Sequence, residues 1–240
     1  HWGAFTIHHV DGDIEIVPHR EDPDPSPILE NIPGARTHGS RIRYPAVRKA
    51  WLEGGPGHSA ENRGHDEFVQ LPWDDVLDLA AGELERVTDL HTPEAIFGGS
   101  YGWSSAGRFH HAQSQVHRFL NTVLGGYTRS TNTYSAGASA VILPHIVGPI
   151  VDICHREATW SEIAQDSELV VAFGGLSTKN AAVSAGGITH HIAKPSMIEA
   201  RQRGADFVLV SPIEDDLPKE VLTDWLALRP NTDVALMLGL

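Results

Sequence analysis

Two segments rich in glycine and hydroxyl residues carry the side chains best suited to chemistry. Residues 98–107 read GGSYGWSSAG, and residues 132–137 read NTYSAG. Glycines let a backbone approach a bulky ligand closely, and a helix that begins behind such a loop presents unpaired N–H groups to anionic or polar atoms. Tyr101 and Trp103 add a phenol and an indole, which both donate hydrogen bonds. The pattern predicts a binding site built from two loops.

The elements around these loops have the form expected in an α/β protein. Residues 95–99 (AIFGG) predict a short buried strand that ends in glycines, and residues 109–120 predict the following helix. Ligands of α/β folds bind where strands end. Residues 135–139 predict the start of another helix, with residues 140–147 as its apolar body. From the residues alone, Ser135 is interpreted as the N-cap of that helix.

The remaining chain predicts further elements in order. Residues 4–17 contain two β-rich runs around a DGD turn, which predicts a hairpin. Residues 18–40 contain five prolines and predict a long surface loop. An apolar period from Trp73 to Val87 predicts a helix.

Residues 168–175 and 207–212 predict two parallel strands, joined by a helix over residues 196–203, as in a nucleotide-binding unit.

Composition excludes several classes of function. The chain has 18 Lys and Arg against 31 Asp and Glu, a formal charge of −13, which disfavours a nucleic-acid surface. No apolar run is long enough to span a bilayer.

Tandem histidines such as His190 and His191 point to different sides of the backbone, so we predict that they are poor chelators. The local motifs of α/β-hydrolases and P-loop kinases are absent from the sequence.

Several motifs together resemble one enzyme family. They are HWG at residue 1, RIRYPAVRKAWLEGG from Arg41, DEFVQLPWDDVLDLAAGEL from Asp66, GGSYGWSSAGRFHHAQSQVHRFLN from Gly98, NTYSAGASAVILPHIVG from Asn132 and RPNTDVALMLGL from Arg229. In order along the chain they resemble the dimethyl sulfoxide reductase family of molybdopterin enzymes, and within it the S- and N-oxide reductase branch. The resemblance implies that the chain is the N-terminal portion of a longer enzyme.

The resemblance implies a multidomain molybdopterin oxidoreductase fold of the α/β class. We expect a small β-rich N-terminal domain over residues 1–55. An α/β domain with the molybdenum-site loops is expected over residues 56–150. The start of a Rossmann-like dinucleotide-binding domain is expected over residues 151–240.

The resemblance also implies site residues and a cofactor, bis-molybdopterin guanine dinucleotide with molybdenum. Ser135 matches the serine whose oxygen coordinates molybdenum, an assignment that suits a hard alkoxide ligand. Tyr101 is expected to hydrogen-bond the substrate oxygen, and Trp103 to form a wall of the pocket. The implied cofactor contacts are Trp103, Ser104, Lys179, Ser211, Pro212, Arg229, Thr232 and Asp233.

The implied activity is reduction of a sulfoxide or an N-oxide by oxygen-atom transfer. The single cysteine, Cys154, leaves no four-cysteine motif near the N-terminus, so we expect no iron–sulfur cluster. Electrons would then come from an external cytochrome, a quinol-linked carrier or a carrier linked to thiols or NAD(P)H. Any export signal would precede residue 1, so the cytoplasm and the periplasm are both compatible with the sequence.

Two alternatives are left open by the sequence. The branch usually has Gly-Asp before Tyr-Ser, whereas this chain has Asn132 and Thr133, so a non-reductase such as a hydroxyl transferase is one alternative. The other alternative is a cofactor-binding fragment without activity of its own.

Overall fold

A computed structural model of the protein describes residues 2–57, 63–100, 111–131, 135–184 and 187–240. Tyr101, Trp103 and Ser104 lie outside these residues. Close contacts divide the chain into two units. The first unit includes residues up to Pro33 and from Thr131 onward, and the second consists of Gly34–Ser100 and Gln113–Ser130. The three domains expected from the sequence stay a prediction.

The described residues form a mixed α/β structure. The strands are β1 (Phe5–Val10), β2 (Asp13–Pro18), β3 (Ala46–Arg48), β4 (Phe68–Gln70), β5 (Leu169–Phe173), β6 (Asp206–Val210) and β7 (Asp224–Leu226). The α-helices are α1 (Asn31–Ala35), α2 (Lys49–Gly54), α3 (Trp73–Leu90), α4 (Ala112–Leu124), α5 (Gly137–Ile142), α6 (Ile150–Cys154), α7 (Trp160–Asp166), α8 (Thr178–Ala181), α9 (Ala193–Gln202) and α10 (Asp233–Gly239). None of the described helices is both long enough and apolar enough to cross a membrane.

The predicted N-terminal hairpin is confirmed. Strands β1 and β2 pair antiparallel, with Phe5 opposite Pro18 and Val10 opposite Asp13. Asp11 and Gly12 form the two-residue turn, with φ of 50° and 87°. Positive φ at both turn residues is the geometry that matches the twist of a two-stranded ribbon, and Asp-Gly tolerates it. The local sequence therefore accounts for this element.

The predicted surface loop over residues 18–40 is wrong in part. It contains a 3-10 helix, Pro27–Glu30, whose N-cap Ser26 accepts a hydrogen bond from the Ile28 amide, and it contains α1. Asp22, Ser26 and Leu29 are buried. Asp22 is buried because it pairs with a histidine 169 residues further along the chain, a contact that local sequence cannot indicate.

The first unit holds its core around a parallel sheet. The strand order is β5-β6-β7, and Leu169 pairs with Asp206 while Val208 pairs with Asp224. This confirms the predicted parallel pair joined by a helix, and it adds β7, which we did not predict. Helices α7 and α9 bury Ala164 and Ala200 against the sheet. The core residues are Ala164, Ala172, Met197, Ala200, Ala205, Phe207, Leu209, Leu217 and Val221.

The second unit contains α3, as predicted, and a short ribbon of β3 and β4 that was not predicted. Ala46 lies opposite Gln70 in this antiparallel ribbon. The guanidinium of Arg48 lies 3.2 Å from the Asp66 carboxylate, and this ion pair links the two sides of the ribbon.

The predicted strand over residues 95–99 does not form. Ala95 belongs to a 3-10 helix, Pro93–Ala95, and Phe97 makes only an isolated bridge with Thr128. A proline at the first helical position favours this turn. It leaves too few residues before Gly98 for a strand.

Two helix boundaries differ from the prediction. The helix expected to continue to residue 147 is α5, which ends at Ile142 and is followed by a 3-10 turn, Leu143–His145. Pro144 has no backbone N–H and cannot continue an α-helix. Helix α4 extends to Leu124, and Gly125 follows with φ of 76°, which is the conformation that commonly ends a helix.

Candidate functional site

Ser135 lies in an exposed turn immediately before α5. The N-cap of that helix is Ala136, and it makes no side-chain cap hydrogen bond. The interpretation of Ser135 as the N-cap is therefore wrong. The assignment of Ser135 as a molybdenum ligand stays a prediction.

The root of the first loop is held by close packing around Gly98. Its amide donates to the Thr128 carbonyl at 2.8 Å, and its carbonyl lies 3.1 Å from Nε2 of His117. The His117 ring stacks on Tyr127, with 4.9 Å between ring centroids. A Cβ at Gly98 would lie 2.5 Å from side-chain atoms of both Leu120 and Tyr127. Only glycine fits at this position, because Leu120 and Tyr127 occupy the space of a side chain. Their packing fixes the position of the backbone where the first loop begins.

Lys179 lines a cavity of roughly 200 Å³ in the first unit. Lys194 lies in the same wall, and its Nζ is 3.0 Å from the Glu220 carboxylate, whose hydrogen bond raises the pKa of Lys194. Lys179 is exposed and makes no ion pair within the part of the chain that the structure describes. The complete lining is Asp24, Pro25, Pro27, Thr178, Lys179, Ala181, Ala182, His191, Ala193 and Lys194. Lys194 is balanced by Glu220 and Asp24 lies in the same lining, so Lys179 is the ammonium group that suits this cavity to an anionic group.

Ser211 begins the loop that follows β6. Its side chain is buried, and its hydroxyl donates to Asp216 at 2.6 Å while accepting from the Ile213 amide at 3.2 Å. The Asp216 carbonyl in turn accepts from the Leu176 amide at 2.7 Å. Ser211 therefore shapes this loop and joins it to the loop after β5. Pro212, beside it, is exposed.

Gly175 makes the contact between these two loops possible. Its φ is +94°, and a Cβ there would lie 2.5 Å from the carbonyl oxygen of Asp216. Only glycine combines that conformation with so close an approach of two backbones. The glycine predicted at the end of this strand is therefore required by the packing of the two loops at the carboxyl edge of the sheet.

Arg229, Thr232 and Asp233 lie beyond the carboxyl end of β7, and all three are exposed. The Thr232 hydroxyl donates to the Arg229 carbonyl at 2.7 Å and closes the turn. Asp233 is the first residue of α10. Because β5, β6 and β7 are parallel, the loops after them meet at one edge of the sheet. The structure therefore places this turn and Ser211 at the same edge.

A buried pair formed by Asp22 and His191 was not predicted. Oδ2 of Asp22 lies 2.7 Å from Nδ1 of His191, and the side chains are 1% and 3% exposed. Oδ1 of Asp22 also accepts from the His191 amide at 2.9 Å. Nε2 of the ring lies 3.2 Å from the Ala182 carbonyl. The pair thus connects the segment after the hairpin to the wall of the lysine-lined cavity.

The electrostatics of this pair follow from burial and hydrogen bonding. Burial of the Asp22 carboxyl raises its pKa, but hydrogen bonds from the amide and ring of His191 and from the Asp24 amide outweigh burial, so the pKa lies below its ordinary value. A Cβ at Gly3 would lie 2.9 Å from the His191 ring and 3.0 Å from the Asp22 carboxylate. The glycine of the HWG motif therefore makes room for the pair.

Sequence reasoning missed Asp22, His191 and Lys194. Asp22 lies among prolines, and the tandem histidines carry no spacing that reveals a partner. The two histidines have different partners, because His191 contacts Asp22 whereas His190 lies against the ring of His19. The expectation that a tandem pair chelates poorly stays a prediction.

Comparisons with known proteins identify the family. The model of the Molybdopterin oxidoreductase family matches residues 41–240, and that of the Molybdopterin oxidoreductase N-terminal domain matches residues 1–35. The chain belongs to the molybdopterin oxidoreductase family, as the resemblance indicated.

Two relatives and one solved structure illustrate the relationship. Biotin sulfoxide reductase of Cereibacter sphaeroides is 42% identical over 94% of this chain and 30% of its own length. Dimethyl sulfoxide/trimethylamine N-oxide reductase of Rhodobacter capsulatus is 34% identical over 100% of this chain and 29% of its own length. Acetylene hydratase from Pelobacter acetylenicus, at 20% identity, superposes with a TM-score of 0.54 over 99% of this chain and 29% of its own, which supports the fold. The chain spans less than a third of the length of these proteins.

Proposed function

We propose that this protein is a molybdenum-dependent oxidoreductase that reduces an S-oxide or an N-oxide. The observation that carries the proposal is the 42% identity to a biotin sulfoxide reductase over 94% of the chain. A second relative, 34% identical throughout, is named a dimethyl sulfoxide/trimethylamine N-oxide reductase. Both names describe removal of oxygen from sulfur or nitrogen, so we infer a substrate of that class.

The residues present fit the cofactor that this function requires. Ser135 lies in an exposed turn before α5, and a serine oxygen is a hard ligand that suits molybdenum. Lys179 lines a cavity and suits an anionic group there. The cofactor, when bound, supplies the two-electron oxygen-atom transfer, and the protein supplies binding and orientation.

We propose the bis-molybdopterin guanine dinucleotide form of the cofactor. Lys179 would pair with an anionic part of it, and the carboxylate of Asp233 suits the hydrogen-bond donors of a guanine edge. Ser211, Pro212, Arg229 and Thr232 belong to loops at the carboxyl edge of the β5–β7 sheet, where a dinucleotide binds in folds of this kind. We also propose that this chain holds no iron–sulfur cluster, since Cys154 is its only cysteine.

The first loop would contribute the polar contacts to substrate. Tyr101 would donate a hydrogen bond to the oxygen of the substrate, and Trp103, beside Ser104, would contact the pterin and restrict water. The packing around Gly98 supports this role, because a rigid root limits where the loop can begin. Electrons would come from an external carrier, a cytochrome, a quinol-linked protein or a thiol- or NAD(P)H-linked protein.

The test is an analysis of the purified protein, produced in a host that makes the cofactor. Molybdenum is measured by mass spectrometry and GMP by acid hydrolysis, and the reduced protein is then mixed with dimethyl sulfoxide, methionine sulfoxide or trimethylamine N-oxide. We expect about two GMP for each metal, one for each pterin arm, and reoxidation by at least one oxide. Cofactor without reoxidation would favour a non-reductase, and protein without molybdenum would overturn the proposal.

Replacement of the proposed metal ligand gives a sharper test. We expect Ser135→Ala to reduce oxide-dependent turnover by more than about a hundredfold, since even residues one shell further from a metal cost up to that much. The electron paramagnetic resonance signal of molybdenum should change as well. Ser139→Ala, four residues further on in α5, is the matched control and should retain both. An unchanged signal and rate in Ser135→Ala would contradict the ligand assignment.

A further inference from the structure

We propose that His19, Glu21 and His190 form a binding site for a divalent transition-metal ion, represented here by Zn²⁺, separate from the residues assigned to the molybdenum cofactor. One ligand atom from each of the three lies within 4.8 Å of the other two. Within the described ranges, no other group of three histidine, cysteine or acidic side chains meets this condition. The site goes beyond the proposed oxide reduction and does not depend on it.

The three residues are brought together by the buried pair beside them. Glu21 precedes Asp22, and His190 precedes His191, so each proposed ligand adjoins a residue held in that pair. The Asp22 amide also donates to the His19 carbonyl at 2.9 Å, which closes a turn between the first two ligands. The backbone on both sides is therefore fixed before a metal binds, and this lowers the entropic cost of binding.

The tandem histidines explain why the ligands converge. Adjacent side chains point to different sides of a backbone. His191 is buried against Asp22, whereas His190 is half-buried and its ring centroid lies 5.4 Å from that of His19. A tandem pair does not chelate by itself, but here one histidine anchors the chain and leaves the other beside a second imidazole.

The chemistry of the set suits zinc and its neighbours in the first transition row. Two imidazoles and one carboxylate are ligands that Zn²⁺ accepts, with bonds of about 2.0–2.2 Å and a water as the fourth ligand. Such bonds place tetrahedral ligand atoms roughly 3.3 Å apart. The three ligand atoms lie within 4.8 Å of one another, and rotation of the exposed Glu21 side chain would bring its carboxylate closer to the two imidazoles. Two neutral imidazoles and one carboxylate leave the ion a single net positive charge in a chain of charge −13.

Two existing contacts compete weakly with a metal. The Arg20 guanidinium lies 3.7 Å from the Glu21 carboxylate, and the two side chains are 88% and 62% exposed, so solvent screens that ion pair. The Glu21 amide lies 3.3 Å from Nδ1 of His19, at the long end for a hydrogen bond. An ion at the site would link residues 19–21 to residue 190.

The experiment is a calorimetric titration of ZnCl₂ into the purified holoprotein, produced without a histidine tag and stripped of loosely bound metal with EDTA. Glu21→Gln and His190→Gln each remove one ligand, whereas His8→Gln removes an exposed histidine of β1 outside the cluster. We expect the wild type and His8→Gln to bind one Zn²⁺ at this site. Both ligand variants should bind it about tenfold or more weakly, since even the loss of a partner that only supports a ligand costs that much.

The outcomes that overturn the proposal are defined by the same titrations. Equal zinc affinity and stoichiometry in the wild type and in Glu21→Gln would exclude the site, as would an equal loss of affinity in His8→Gln. If His190→Gln alters the circular dichroism spectrum, Glu21→Gln decides the matter, because that side chain is exposed and its replacement keeps both histidines and the Asp22–His191 pair. Molybdenum content, measured in parallel, shows whether any loss of zinc binding reflects loss of the holoprotein instead.

Discussion

The sheet of the first unit and the helices of the second unit bury their apolar residues to very different extents. Strand β6 has neighbours on both sides, and Phe207 and Leu209 within it have no exposed surface. Helix α3 shows a clear apolar period, yet none of its residues is buried, and Trp73 and Leu77 are 63% and 57% exposed. A sequence period therefore indicates which residues of an element can be buried, whereas burial depends on a partner element.

The two regions differ because of how their elements are connected. A parallel β-α-β unit brings its helix back onto its own sheet, so a core forms from residues close in sequence. Here α9 connects β5 to β6 and contributes Met197 and Ala200 to the core. The connections of α3 do not place it on a sheet of its own, so its apolar face is not covered in this way. Substitutions in the two regions should therefore differ in their cost, and three of them measure that difference.

The largest effect is expected for Phe207→Ala in β6. Removal of a fully buried aromatic side chain leaves a cavity and should cost about 3–5 kcal/mol. The measurement is amide hydrogen exchange in peptides covering β5 and β6, which reports local stability. Phe207→Leu, which removes less volume, should cost clearly less than Phe207→Ala and serves as the control. Unchanged exchange in Phe207→Ala would show that this core is not what stabilises the sheet.

An intermediate effect is expected for Leu120→Ala in α4. Leu120 is the only buried residue of that helix, and it packs where a Cβ on Gly98 would clash. We expect a loss of about 2–3 kcal/mol, near the low end for buried leucines, with faster exchange in peptides covering residues 96–100. Val123→Ala, at an exposed position of the same helix, is the matched control. If both variants exchange alike, the root of the first loop does not depend on Leu120.

The smallest effect is expected for Leu77→Ser in α3. Because most of this side chain is already exposed in the structure, its removal should change stability by less than about 0.5 kcal/mol. Thermal unfolding and exchange across α3 are the measurements, and Leu84→Ser, at a half-buried position of the same helix, provides the comparison. A loss as large as that in Phe207→Ala would show that another surface covers Leu77 in the protein in solution.

Local sequence accounts for the elements whose signals lie within a few residues. The Asp11-Gly12 turn determines the hairpin, because both residues tolerate positive φ. Gly125 ends α4 for the same reason. The strand predicted over residues 95–99 does not form, because the 3-10 turn that begins at Pro93 includes Ala95. Predictions from pattern are thus reliable where one local signal acts alone, and they fail where two signals overlap.

The candidate site divides along the same line. The sequence alone indicated that glycine-rich loops begin at Gly98 and near Gly175, that a hydroxyl residue precedes α5 and that two strands end in loops. Each of these features depends on neighbouring residues. Only the tertiary structure decided that Asp22 is buried against His191, that Lys194 shares a cavity with Lys179, and that His19 lies beside His190. Backbone preferences act over a turn of chain, whereas these contacts join residues 15 to 171 positions apart, which only the packing of the folded chain brings together.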